Sequence, residues 1–256
     1  MSDPAGDTAG ATGPLDVVGT MAAPASFHAA DEKYLYLRLR VAGSAVQNGA
    51  LIDDGWGWEL DLDGDRSTYE LLISVNGGDN TVGIFKNTVT VTPNDPGEPA
   101  DAPATFTYPN GTNARVVSAG SAVGGAQDYF VDLAVPWTDL NSVGVQPNTH
   151  VYVWAGTSTA ANSLNLDLAC SSGIGHLSDA GVDIDFPAPG GTITVGGGGG
   201  AGGNGGGGSG GSGNNMRTLE GGPGCALAGA ASQATAPAWL LAIAALLWWR
   251  RRSRAA

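Results

Sequence analysis

The sequence predicts an all-β fold: an antiparallel β-sandwich of jelly-roll or immunoglobulin-like type, followed by a disordered glycine-rich linker and one C-terminal transmembrane helix. Three observations predict it. Upstream of the tail, apolar residues alternate with polar ones over short runs, the period that gives a strand one buried face. Gly, Pro, Asn and Asp punctuate those runs at modest spacing, as turns between antiparallel strands require. No segment before the tail holds a long apolar period of 3.6, so helices are not expected to supply the core.

Residues 1–14, MSDPAGDTAGATGP, are rich in Gly, Pro and Asp and read as disordered. The β-domain is expected over 15–195. Leu15 to Thr20 is a short apolar run. Tyr34 to Val41 alternates most cleanly, with Leu35, Leu37, Leu39 and Val41 on one face and Tyr34, Tyr36, Arg38 and Arg40 on the other. Trp56, Trp58, Leu60 and Leu62 form a second apolar face, and Tyr69, Leu71, Ile73 and Val75 a third. Asp63-Gly64-Asp65-Arg66-Ser67 lies between them as a turn, so 56–75 is expected to be a hairpin. Val82–Phe85 and Val89–Val91 read as short strands. Residues 93–103, with four prolines, read as an exposed loop. Phe106–Tyr108, Arg115–Val117, Tyr129–Val135, His150–Ala155, Leu164–Leu168, Asp183–Phe186 and Thr192–Val195 complete the expected strands. Pro136-Trp137 ends one of them, and Thr138-Asp139-Leu140 follows as a turn or helical corner.

Residues 196–224 are the linker. Its first 18 residues contain 14 glycines, a composition that packs no core and makes a flexible tether. It is not a phosphate loop, because no strand-GxxxxGK[ST]-helix context surrounds it. Residues 225–249 then combine Cys225 with an apolar helix, and 250–256 form a basic tail. From Ala226 to Trp249 the chain carries no charge and, as a helix, would measure roughly 36 Å, enough to span a bilayer. Trp248 and Trp249 fall where an interfacial aromatic belt would lie, and Arg250, Arg251, Arg252 and Arg254 place the C-terminus in the cytoplasm.

Charge narrows the partners. The whole chain carries −13, but residues 1–195 hold six bases against 23 acids, a net −17. Such a domain is unsuited to nucleic acid and to anionic lipid headgroups. The two cysteines, Cys170 and Cys225, lie on opposite sides of the linker and make no disulfide framework; a bridge between them is open but not indicated. Residues 1–14 offer neither a basic n-region nor an apolar h-region, so an export signal is expected upstream of Met1.

Four constellations could carry chemistry. Asp61, Asp63 and Asp65, with Ser67 and Glu70 nearby, place alternate carboxylates on a tight turn, an oxygen set that suits calcium. The glycine spacing is not that of an EF-hand, and an acidic turn satisfying its own geometry is the plain alternative. Trp56, Trp58, Trp137 and Trp154 could stack on sugar rings. Trp56 and Trp58 share a face with leucines and read as core, while Trp137, at a strand end after Pro136, is expected to be the exposed ring. Glu59 and Glu70 could in principle act as a hydrolase pair. His28, His150 and His176 are scattered, and no HExxH, GxSxG or Cys/His pair occurs, so no catalytic residue is assigned and an enzyme is not expected.

The order Gly-Cys, apolar helix and terminal arginine cluster resembles the myxobacterial MYXO-CTERM protein-sorting tail. That resemblance implies a sorting protease acting near Cys225, lipidation of Cys225, retention by Arg250, Arg251, Arg252 and Arg254, and delivery to the cell surface. The strings YLYLRLRV, WGWELDLDGDRSTYELLISVNG and DYFVDLAVPWTDL over residues 15–170 resemble β-sandwich domains of the carbohydrate-binding module 9 and DOMON-like group. That resemblance implies a sandwich that binds sugars or, in some branches, haem, although no axial His/Met pair is evident. The combined expectation is a non-enzymatic binding or adhesion domain at the cell envelope, a single-pass precursor with its β-domain outside. Glycans are the candidate partners, with a carbohydrate-binding module or a glycoside-active enzyme as alternatives.

Overall fold

A hairpin of β1 (Ser26–Ala30) and β2 (Tyr34–Val41) opens the regular structure. In β2 the alternation becomes burial: Leu35, Leu37, Leu39 and Val41 are sealed, while Tyr34, Tyr36 and Arg38 turn to the other face. A small hairpin, β3 (Val46–Gln47) with β4 (Ala50–Leu51), precedes a meander of β5 (Gly55–Asp61), β6 (Leu71–Asn76), β7 (Thr81–Lys86) and β8 (Phe106–Pro109). One helical turn, α1 (Asn110–Asn113), leads into β9 (Ala114–Ser118). Then come β10 (Tyr129–Pro136), α2 (Trp137–Ser142), β11 (His150–Ser158), β12 (Asp167–Leu168), β13 (Val182–Asp185) and β14 (Arg217–Thr218). The computed structural model describes residues 1–8, 13–123 and 125–187, together with the backbone of 217–218.

Pairing sorts these strands into two main antiparallel sheets. The first runs β14-β1-β2-β10-β9; the second runs β12-β11-β5-β6-β7-β8, with β13 also on β11. Between them lies one core. Leu35, Leu37, Leu39, Val131, Leu133 and Val135 come from the first sheet, and Trp56, Trp58, Leu60, Ile73, Val151 and Val153 from the second. Each such side chain removed from water contributes about 1.5–3 kcal/mol, which is why the period-two pattern dictates the architecture. On the outer face of the first sheet Asp132 sits opposite Arg38 on β2 and Arg115 on β9. Arg38 Nε and Nη2 donate to its two oxygens at 2.5 and 2.7 Å, and Arg115 Nε donates at 2.8 Å. Arg38 and Arg40 also lie 4.3 and 4.5 Å from the centre of the Phe130 ring.

The second sheet is covered on both faces. Tyr69, Leu72, Phe85, Trp154, Leu164, Leu168 and Leu177 form a separate apolar cluster on its outer side, packed with Ala100 and Ala180 from the loops. That layer explains why every residue of β5, GWGWELD, is buried. Trp56, Trp58 and Leu60 face the central core, while Glu59 and Asp61 are buried on the other side.

The expected hairpin over 56–75 forms as β5 paired with β6. Trp154 faces away from Val151 and Val153, and the strand beginning at Tyr129 ends at Pro136, where α2 starts. Several expectations are corrected. Leu15–Thr20 forms no strand: Leu15 ends a 3-10 turn, Gly13–Leu15, and isolated bridges follow, Val17 to Val41 and Asp3 to Gly19. Val89–Val91 forms no strand, and both valines are exposed. β1 carries too short and mixed a pattern, SFHAA, to be read as a strand; its pairing with β2 makes it one. Met1, Ser2 and Asp3 lie in the stretch expected to be disordered, yet they are buried, because Asp3 exchanges two backbone hydrogen bonds with Gly19 and Ala25 donates to the Met1 carbonyl. Thr192–Val195, the glycine-rich stretch and the tail helix lie outside the described residues, except that the backbone of Arg217–Thr218 pairs with β1. Among the described residues no helix is long and apolar enough to cross a membrane.

Candidate functional site

The Asp61–Glu70 connection closes the β5–β6 hairpin through a nest of carboxylate-capped turns. Asp61 Oδ1 accepts from the backbone N–H of Asp63 at 2.9 Å and of Gly64 at 2.6 Å. Gly64 adopts φ +89°, which the turn needs and a larger residue resists. Asp63 Oδ1 in turn accepts from Asp65 N, and Asp65 Oδ1 accepts from Ser67 N and Oγ. Glu70 Oε2 accepts from Leu62 N at 2.6 Å. Arg66 fastens the turn sideways: it donates to Asp183 on β13 at 2.6 Å and lies 4.2 Å from the centre of the Tyr152 ring.

One carboxylate oxygen each from Asp61, Asp63 and Glu70 lie within 4.8 Å of one another. A calcium ion bound at 2.3–2.6 Å spans about that distance between opposed ligands. Asp61 Oδ2 is buried and has no hydrogen-bond partner. Burial, then the charges of Asp63 and Asp65, raises the Asp61 carboxyl; burial, then Asp63 and Asp61, raises Glu70. The expected third ligand, Asp65, does not join them. Its Oδ1 serves Ser67, whose hydrogen bonds lower its pKa, and Glu70 takes the place at the cluster.

The opposite end of the second sheet carries an open cleft of about 560 Å³. Asp53, Asp54, Asn76, Asp79, Asn80 and Thr159 line it. The wall is organised by its own hydrogen bonds: Asn76 Nδ2 donates to Asp79 Oδ2 at 2.8 Å, and Asn76 Oδ1 accepts from Gly78 N at 3.0 Å. Burial, then the neighbouring Asp53, raises the Asp54 carboxyl. Such a surface offers carboxylates, amides and hydroxyls without an aromatic ring.

The tryptophans proposed for stacking are elsewhere. Trp56, Trp58 and Trp154 are sealed, and their ring N–H groups donate to Pro14 O, Ser26 Oγ and Leu177 O. Trp137, expected to be exposed, is only 5% exposed. Its N–H donates to Asp31 O at 3.0 Å and its ring meets Phe186 edge-on. The helical corner after Pro136 turns the ring inward, so it presents no face to a sugar. The carboxylates Glu59 and Glu70 make no cleft either, since Glu59 is completely enclosed beneath the outer apolar cluster. His150 pairs with Asp185 at 3.0 Å on the surface, and His176 is exposed; His28 is buried near Phe186.

Cys225 and Arg250, Arg251, Arg252 and Arg254 lie outside the described residues. Compared with protein-family models, with curated proteins and with solved structures, the chain matches none.

Proposed function

We infer that this chain is a non-enzymatic binding or adhesion module displayed at the cell envelope. The observation that supports the inference is the cleft lined by Asp53, Asp54, Asn76, Asp79, Asn80 and Thr159, open at a loop end of the second sheet. Concave sites with a few fixed polar groups are where proteins bind small ligands, and carboxylates beside amides match the vicinal hydroxyls of a sugar. A carbohydrate-binding module is therefore the second reading, through hydrogen bonding and not through ring stacking. The sandwich is of jelly-roll or immunoglobulin-like type, and calcium held by Asp61, Asp63 and Glu70 would brace the hairpin at the far end.

Glycan-array binding by the intact chain, with Asn76→Ala and Asp79→Ala as controls, tests the cleft. Saccharide binding that either substitution abolishes supports the carbohydrate reading. Binding to cell surfaces but to no glycan, again lost with the cleft variants, supports adhesion. Binding that ignores both substitutions, or turnover of a glycoside, refutes the role given to the cleft.

The display part rests on the tail, with a sorting protease acting near Cys225, the membrane helix discarded and the arginines acting as the retention signal. The chain has two cysteines, so lipidation of Cys225 and a bridge engaging both thiols exclude one another. Intact mass of the mature protein, with and without reductant, separates them. A product ending at Ala256 with Cys225 unmodified would reduce the tail to a plain membrane anchor.

A further inference from the structure

The N-terminal segment, expected from its composition to be disordered, brings a second group of acids together. Asp3 Oδ1 accepts from the Cys170 backbone N–H at 2.8 Å, Asp7 Oδ2 from Gly173 N at 3.1 Å, and Asp167 Oδ2 from Val17 N at 2.7 Å. Each carboxylate thus spends one oxygen on a backbone donor. The other oxygen, Asp3 Oδ2, Asp7 Oδ1 and Asp167 Oδ1, is buried and has no hydrogen-bond partner. Asp3 and Asp167 are 1% and 0% exposed. One oxygen from each of the three lies within 4.8 Å of the others. Asp16 stands beside them and accepts from Gly6 N with both oxygens at 2.9 Å.

Four carboxylates in one buried place require a counter-charge. Among the described residues no Lys, Arg or His forms an ion pair with any of the four. Burial raises all four carboxyls, and Asp167 and Asp7 add to the shift at Asp3. Two neutralising agents fit such a cluster: protons or a cation. The bare oxygens favour the cation, because a buried polar atom without a partner costs about 1–3 kcal/mol and a metal bond removes that cost. The ligands are all carboxylate oxygens, with no imidazole or thiolate among them. That set selects hard divalent ions, and the flexible coordination of calcium suits ligands drawn from the N-terminal segment and from β12 better than the strict octahedron of magnesium.

We propose that Asp3, Asp7 and Asp167, with Asp16 alongside, form a binding site for a hard divalent cation, calcium foremost. The ion fastens residues 3–7 to β12 and to the loop carrying Cys170 and Gly173. It lies apart from the hairpin cluster and is independent of what the cleft binds. Its consequence is that the N-terminal segment is held against the sandwich when the cation is present and is released when it is withdrawn.

Thermal unfolding of the intact chain in detergent, stripped with chelator and titrated with calcium chloride, tests the site. The D61N/E70Q background removes the hairpin cluster. In that background a hundredfold excess of calcium over Kd is expected to raise Tm by roughly 5–10 °C. Adding Asp167→Asn, which keeps an acceptor for Val17 N and removes the charge, is expected to abolish the rise. If that variant fails to fold, Asp7→Asn at the half-buried position takes its place. Absence of any calcium response in the D61N/E70Q background overturns the proposal and leaves protons as the neutralising agent. A rise that survives the third substitution overturns it as well.

Discussion

Glu59 is a fully buried carboxyl with both oxygens unsatisfied, and replacing it should stabilise the protein. Its side chain is 0% exposed and neither carboxyl oxygen has a hydrogen-bond partner. Its cross-strand neighbours are Trp154 on β11 and Leu72 on β6, both in the outer apolar cluster. Burial, then the charge of Asp95, holds its pKa well above the ordinary glutamate value. Methionine has a similar length and no polar oxygen, so Glu59→Met removes an unsatisfied group and leaves little void. The unsatisfied oxygens alone set a gain of about 1–3 kcal/mol, or roughly 2–10 °C in Tm for a domain of this size, and the pH-dependent part adds to it toward neutrality. The pH dependence gives a second readout. In the unfolded chain Glu59 ionises above about pH 4.3, whereas the folded chain retains the proton. The native state therefore binds more protons over that range, and wild-type stability falls as pH rises, by at most about 1.4 kcal/mol per unit. The variant lacks this slope, so its advantage should be smallest near pH 4 and grow toward neutrality. Differential scanning fluorimetry of both proteins from pH 4 to 8 measures it. A variant no more stable than wild type at pH 7, or an advantage unchanged with pH, would show that Glu59 has a stabilising partner and refute the reasoning.

Other outcomes follow from the same geometry. Asp132→Asn breaks the paired bonds to Arg38 and the bond to Arg115; it should cost about 1.5–3 kcal/mol in urea unfolding, most of it through half-buried Arg38, since Arg115 is largely exposed. Gly156→Ala would place a Cβ 2.4 Å from the Asp167 carbonyl oxygen, a backbone clash expected to cost more than about 2 kcal/mol by the same measurement. The aspartate cluster gives a pH signature. Burial first raises Asp167 to about 8 and raises Asp3 in the same direction. The folded state thus binds more protons than the unfolded one between about pH 4 and 8, and chelated protein should lose stability as pH rises through that window. Calcium takes the deprotonated oxygens, so its stabilising effect should increase with pH; a calcium shift in Tm that is flat from pH 5 to 8 would contradict this.

What the sequence disclosed and what it concealed divide along the range of the interactions. Period-two burial is local: Leu35, Leu37 and Leu39 are spaced by the strand itself, so β2, β5, β6 and β10 were legible without any knowledge of their partners. The hairpin acids were legible for the same reason, but which carboxylates converge was not. Asp65 satisfies Ser67 two residues on, and Glu70 reaches the cluster only because β6 brings it back beside Asp61. Trp137 misled because a proline-tryptophan corner reads as a surface feature, while the helical turn after it sends the ring against Phe186. The outer layer on the second sheet had no local sign at all. It is built from loops, and it turns Glu59 and Asp61, the polar half of an alternating strand, into buried groups. The deepest acids were the least visible: Asp7 meets Gly173 across 166 residues of chain, and nothing near either one marks the meeting. Three carboxylates gathered this way, Asp3, Asp7 and Asp167, each with a buried oxygen left bare, are difficult to explain as a solubilising charge, because charge that only keeps a domain soluble stays in water. Under the proposed cation site, part of the −17 of residues 1–195 is structural charge that a bound ion would neutralise, and the acidity expected to disfavour nucleic acid is the same feature that would favour a cation.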